Sequence, residues 1–150
     1  MLEGCNMWQT LLAGVLAVAS VQSADRWYEG KWTAEFEGVT FVRFELAVIS
    51  GNPVGRISLG NVEVNADGGL RSVSPAPDRQ LEIFDVSVRG AVVAFSHQDG
   101  QEIDRFEIRQ VGDHAELWFL LSDETRRELA AEGIPVPNPI TLKKERSRFE

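Results

Sequence analysis

The stretch Leu81-Glu-Ile-Phe-Asp-Val-Ser-Val-Arg-Gly-Ala-Val-Val-Ala-Phe-Ser-His97 decides the fold class. Phe84, Val86 and Val88 alternate with Asp85, Ser87 and Arg89, and a tight turn at Arg89-Gly90 lets Val93 and Phe95 resume the same apolar face. A period of two puts the apolar set on one side of a pleated strand and the polar set on the other. The stretch is predicted as a half-buried β-hairpin.

Toward the N-terminus the pattern recurs. Trp32, Ala34 and Phe36 alternate with Lys31, Thr33, Glu35 and Glu37 until Gly38 breaks the run. Val42, Phe44, Leu46 and Val48 then oppose Arg43 and Glu45, and Ser50-Gly51-Asn52-Pro53 is a strong turn signal. Ile57 and Leu59 mark the return arm, with a bulge expected at Gly60-Asn61 before Val62 and Val64. Leu70 to Gln80 contains Pro75 and Pro77 and has no period, so it is expected to be a surface loop.

Toward the C-terminus, Gln98-Asp99-Gly100-Gln101 turns the chain into an arm on which Asp104, Phe106 and Ile108 alternate with Arg105, Glu107 and Arg109. Val111-Gly112-Asp113-His114 turns it again, and Leu117, Phe119 and Leu121 return on the core face, with Glu116 expected to face Arg109 on the wet side. Trp118 and Leu120 then point outward. Ser122 to Glu132 is predicted as a helix: Ser122 caps it, Asp123 and Glu124 suit its positive end, and Gly133 and Pro135 terminate it. It is expected to lie over one end of the sheet as a plug or lid. Ile140 and Leu142 supply a last strand before the charged tail Lys143 to Glu150.

Eight or nine short strands, each with one wet and one apolar face, must close or stack to bury that face and protect their edges. Short sequential hairpins favour an all-β, antiparallel up-and-down barrel of about eight strands with one short helix before the last strand; a β-sandwich is the alternative. A chain of 150 residues that is 43% hydrophobic is long enough for one domain with a core of its own, assigned here to residues 25–150. Net charge is −8, and the basic residues are scattered, which argues against binding nucleic-acid phosphates.

Residues 1–24 differ in character. Leu11 to Val21 is an uncharged apolar run followed by small residues at positions suited to signal-peptidase cleavage near Ser23 and Ala24. Export to the periplasm or the medium is the expectation, since this run is shorter than the roughly 20 residues a membrane span needs. The leading segment has Glu3 and no Lys or Arg, so Met7 is an alternative start to Met1. Cys5 precedes the apolar run, and cleavage would leave a mature chain without cysteine.

The Gly30-Lys31-Trp32 opening resembles the Gly-x-Trp start of lipocalins and related calycin barrels, and the sequential hairpins with a helix before the final strand suit the same group. Trp32-x-x-x-Phe36, the hairpin from Asp85 to Phe95, and Phe106 to Phe119 are similar to small exported bacterial β domains of uncharacterised families. The resemblance implies a calycin-like barrel and no settled activity. This chain has no Thr-Asp-Tyr-like motif and no cysteine pair after residue 24.

The chain offers little catalytic apparatus. His97 and His114 are the only histidines, and no Gly-x-Ser-x-Gly elbow and no recognised metal-ligand or cofactor spacing is present. The reading is a non-enzymatic barrel without cofactor. The first hypothesis is a module that holds a small apolar ligand at an open end near His97 and the Leu70 to Gln80 loop, lined by Trp32, Phe44, Phe84, Phe95, His97, Phe106 and Phe119. The second is a filled barrel that makes protein or envelope contacts through its surface, with Trp118 and Leu120 as anchors. Because an eight-stranded barrel is only wide enough to be packed by side chains or to hold one small ligand, inward aromatics favour filling. His97 is expected to be a partly buried imidazole satisfied by backbone or by Asp99.

Overall fold

The computed structural model describes residues 26–146. The expected signal segment, its cleavage site and Cys5 lie outside the described residues. Among those described, the chain forms β1 (Gly30–Phe36), β2 (Val39–Ile49), β3 (Asn52–Leu59), β4 (Val62–Val64), β5 (Leu70–Val73), β6 (Leu81–Arg89), β7 (Val92–Asp99), β8 (Glu102–Val111), β9 (His114–Leu120), α1 (Asp123–Ala131) and β10 (Ile140–Lys144).

Eight of these strands close an antiparallel barrel in the order β1-β10-β9-β8-β7-β6-β3-β2. This is the expected up-and-down architecture, consistent with a calycin-like fold, and closure leaves the barrel no free sheet edge. The hairpins are tight because their turns take the left-handed backbone that matches strand twist. Both central residues of the Glu37-Gly38 and Ser50-Gly51 turns have positive φ, at 51° and 80° and at 53° and 79°.

Two bulges alter which side chains face inward. In β2, Val42 pairs with Ala34 while Thr40 pairs with Glu35, so Phe41 is an extra residue. Phe41 and Val42 are both fully buried, where strict alternation would bury only one of them. In β6, Asp85 has a φ of 51°, and it and Val86 together oppose Phe95 of β7. That shifts the phase of the strand: Ile83 is buried, whereas Phe84, expected on the interior face, is 37% exposed on the outside. Val86 and Val88 remain packed against the core.

The β3–β6 seam is short, joined at Arg56–Glu82 and Ile57–Leu81. Continuing that register would set Pro53, which has no N–H to donate, against the Asp85 bulge, so the ladder stops before it reaches them.

Both ends of the barrel are covered. The Leu70 to Gln80 segment, expected to be irregular, begins with β5, which pairs with β4 as a separate hairpin. Val62, Leu70 and Val73 of this hairpin pack against the core, and its tip is tied down by the Asn138 amide donating to the Gly68 carbonyl at 2.9 Å. At the opposite end Trp27 donates to the Gly90 carbonyl at 2.8 Å and meets Trp32 edge-on at 6.1 Å, while Trp32 donates to the Tyr28 carbonyl at 3.0 Å.

The helix α1 forms as its sequence dictates. The Ser122 hydroxyl accepts from the Thr125 amide at 3.1 Å, and Gly133 at φ 69° ends the helix while the Ile134 amide donates to the Leu129 carbonyl. It is not the expected lid, because none of its residues is buried. With Leu129 as its one large apolar side chain, it has too small a face to be held on the barrel. No helix among the described residues is long and apolar enough to cross a membrane.

Candidate functional site

The inward positions of β1, β2, β7 and β8 bring most of the predicted lining residues together. Phe95 is fully buried and stacks on Phe44 at 5.1 Å and on Phe106 at 5.6 Å, and Phe106 meets Phe119 edge-on at 5.5 Å. Trp32 is also buried, Phe119 is half-buried, and Phe84 lies outside this group. Rings in van der Waals contact occupy the centre of the barrel with the offset and tilted geometries that aromatic quadrupoles favour.

His97 joins this interior at 6% exposure, edge-on to Phe106 at 5.4 Å. The nearest carboxylate is not the expected Asp99 but Asp104, its cross-strand partner on β8. Its Oδ2 stands 3.8 Å from His97 Nδ1, beyond hydrogen-bond length, and that nitrogen has no partner. Among the described residues no group of three or more His, Cys, Asp or Glu side chains converges on a point where a metal would sit.

On the outer wall, the predicted anchors Trp118 and Leu120 are both half-buried. The cover over Trp118 comes from Arg109, whose guanidinium lies 3.9 Å above the indole ring, rather than from α1. Arg109 also donates to Glu107 Oε1 at 2.8 Å. Glu116 is its cross-strand neighbour in the expected register, but the ion pair forms with Glu107. A stacked, hydrogen-bonded guanidinium makes this patch less apolar than its sequence suggests.

A concave feature of about 390 Å³ lies elsewhere, on the outside of β1 and β2. Lys31, Thr33 and Glu35 of β1 and Thr40, Arg43 and Glu45 of β2 form its floor, with Gln80 and Glu145 at its edges. Trp32 and Phe44 also border it, although both are buried residues of the same strands. The Glu145 amide donates to the Lys31 carbonyl at 2.8 Å, carrying the chain past β10 along one side. On the other side the Ala76 amide donates to the Thr40 carbonyl and the Ser58 hydroxyl donates to the Pro77 carbonyl, pinning the segment that delivers Gln80.

By alternation alone, the outward residues of β1 and β2 form a wet strand face. The alternation that identified the core contained their positions, but nothing local marks Gln80 or Glu145 as neighbours of that face. No family model, no curated protein and no solved structure matches the chain.

Proposed function

We propose that this protein is an exported, filled β-barrel that acts through its outer surface and not by holding an apolar ligand inside. The observation that carries this reading is the aromatic stack of Phe44, Phe95, Phe106 and Phe119, which takes up the interior positions a lipocalin-like ligand would need. The cover at each end, by the β4–β5 hairpin and by Trp27 and Tyr28, supports the same reading. So does the position of the 390 Å³ groove outside the wall.

Export rests on the Leu11 to Val21 run and the small residues after it. Titration with a fluorescent fatty acid and a retinoid, following Trp32 emission, tests the filled interior. No saturable uptake is expected; saturable uptake with quenching of Trp32 would favour the ligand-carrier reading instead. N-terminal sequencing of protein recovered outside the cytoplasm is expected to begin near Ala24, and a product that still starts at Met1 or Met7 refutes cleavage.

A further inference from the structure

We infer that the outer groove over β1 and β2 binds a short, extended peptide that carries both a free amino group and a free carboxylate. The inference rests on the outer-surface reading and names a site and a ligand class for it. Five charged side chains converge there: Lys31, Arg43, Glu35, Glu45 and Glu145. Among the described residues none of the five forms an ion pair with an opposite charge. Neighbours on other strands and turns do pair, as Glu63–Arg71 and Glu107–Arg109 show at 2.9 and 2.8 Å. Lys31 and Glu45 are direct cross-strand partners and still stay apart.

Arg43 is the least compensated of these groups. Its cross-strand neighbours are Thr33 on β1 and Ser58 on β3, both neutral, and the Ser58 hydroxyl is already donated to Pro77. Glu45, two residues along the same face of β2, forms no ion pair with it, so a guanidinium with five donors and no carboxylate bonded to it is set in the floor of a concave surface as a receptor for a carboxylate. Glu35 lies toward one end of the floor opposite the neutral Thr40, whereas Glu45 and Glu145 lie with Lys31 toward the other, so Glu35 is the partner for an ammonium group.

The sign pattern selects the ligand class. A purely anionic ligand would face three carboxylates, and a purely cationic one would face Lys31 and Arg43. A neutral polyol would leave all five charges without opposite partners. Size selects the length: Arg43 lies opposite Thr33, two strand rises or about 7 Å from Glu35, which with the reach of both side chains matches the charged ends of a peptide of two to three extended residues. The groove volume also falls within the range of about 300–1,000 Å³ typical of small-ligand sites.

Triglycine is the probe, followed by amide chemical-shift titration of the ¹⁵N-labelled protein, with N-acetyl-triglycine and triglycinamide as singly charged controls. Saturable shifts are expected at Thr33, Thr40, Arg43 and Gln80, with weaker binding of both controls. Arg43→Gln is expected to raise the triglycine Kd about tenfold, the scale of one charge-assisted contact at an exposed site. Glu35→Gln provides a second variant in case Arg43→Gln misfolds, and is expected to weaken triglycine while leaving N-acetyl-triglycine unchanged. No saturable shift with triglycine, equal binding of the blocked peptides, or an unchanged Kd in both variants would overturn the assignment. If triglycine fails and fatty acid is not taken up, the groove assignment alone falls; fatty-acid uptake removes the filled-barrel reading whatever triglycine does.

Discussion

Phe84 and Phe95 would share one face of the central hairpin if its strands alternated without interruption, and truncating each to alanine separates that picture from the bulged one. Phe95 is fully buried between Phe44 and Phe106. Removing its ring leaves a cavity that flanking aromatics cannot collapse into, so Phe95→Ala is expected to cost about 3–5 kcal/mol. The two lost stacking contacts, each worth roughly 0.5–1.5 kcal/mol, favour the upper end.

Phe84 retains 37% exposure because the Asp85 bulge turns it outward. It forfeits only part of the roughly 1.5–3 kcal/mol that full burial of such a ring contributes, and water fills the gap, so Phe84→Ala is expected to cost about 1–2 kcal/mol. At an unfolding entropy of roughly 2.1 cal/mol/K per residue, Tm falls by about 4 °C per kcal/mol for a domain of this size. The expected shifts are therefore about 12–20 °C for Phe95→Ala and about 4–8 °C for Phe84→Ala. Urea denaturation followed by circular dichroism, with thermal melts of the same samples, reads both. Equal losses for the two variants would refute the bulge, and a loss under about 1.5 kcal/mol for Phe95→Ala would refute a filled interior.

Two further outcomes are expected. In Gly60→Ala the added methyl would collide with the Ser74 carbonyl oxygen, which is backbone and cannot swing aside; a cost of about 2 kcal/mol or more is expected, with faster hydrogen exchange at the Ser74 and Ala76 amides. Unchanged exchange at both would refute that packing. The exposed Glu63 carboxyl is held below the usual carboxylate range, first by the Arg71 hydrogen bond and then by Ser72. A pKa depressed in the folded state contributes stability above the unfolded-state value that is lost as pH falls through the folded one. Glu63→Gln is accordingly expected to flatten the acid limb of stability measured against pH, and parallel curves for the two proteins would refute the linkage.

The strand periods, most turns, the Ser122 cap and Gly133 stop, and the preference for a closed barrel are legible in the chain, because these depend on residues a few positions apart. The same alternation put Trp32, Phe44, Phe95, Phe106 and His97 on the inward face, but it passed over Phe41, which the β2 bulge buries, and set Phe84 on the wrong side. The rest depends on contacts between distant parts of the chain. Asp85 takes a left-handed backbone through its place between β7 and the end of the β3–β6 ladder, a constraint that hydrophobic alternation does not encode. The lid is the β4–β5 hairpin and not α1, because Val62, Leu70 and Val73 together cover more apolar surface than Leu129 can. The outer groove draws Glu145 and Gln80 to the faces of β1 and β2 across large sequence separations. A charged residue on a wet strand face has the same local pattern whether it faces open solvent or the floor of a groove, and only the packed chain distinguishes the two.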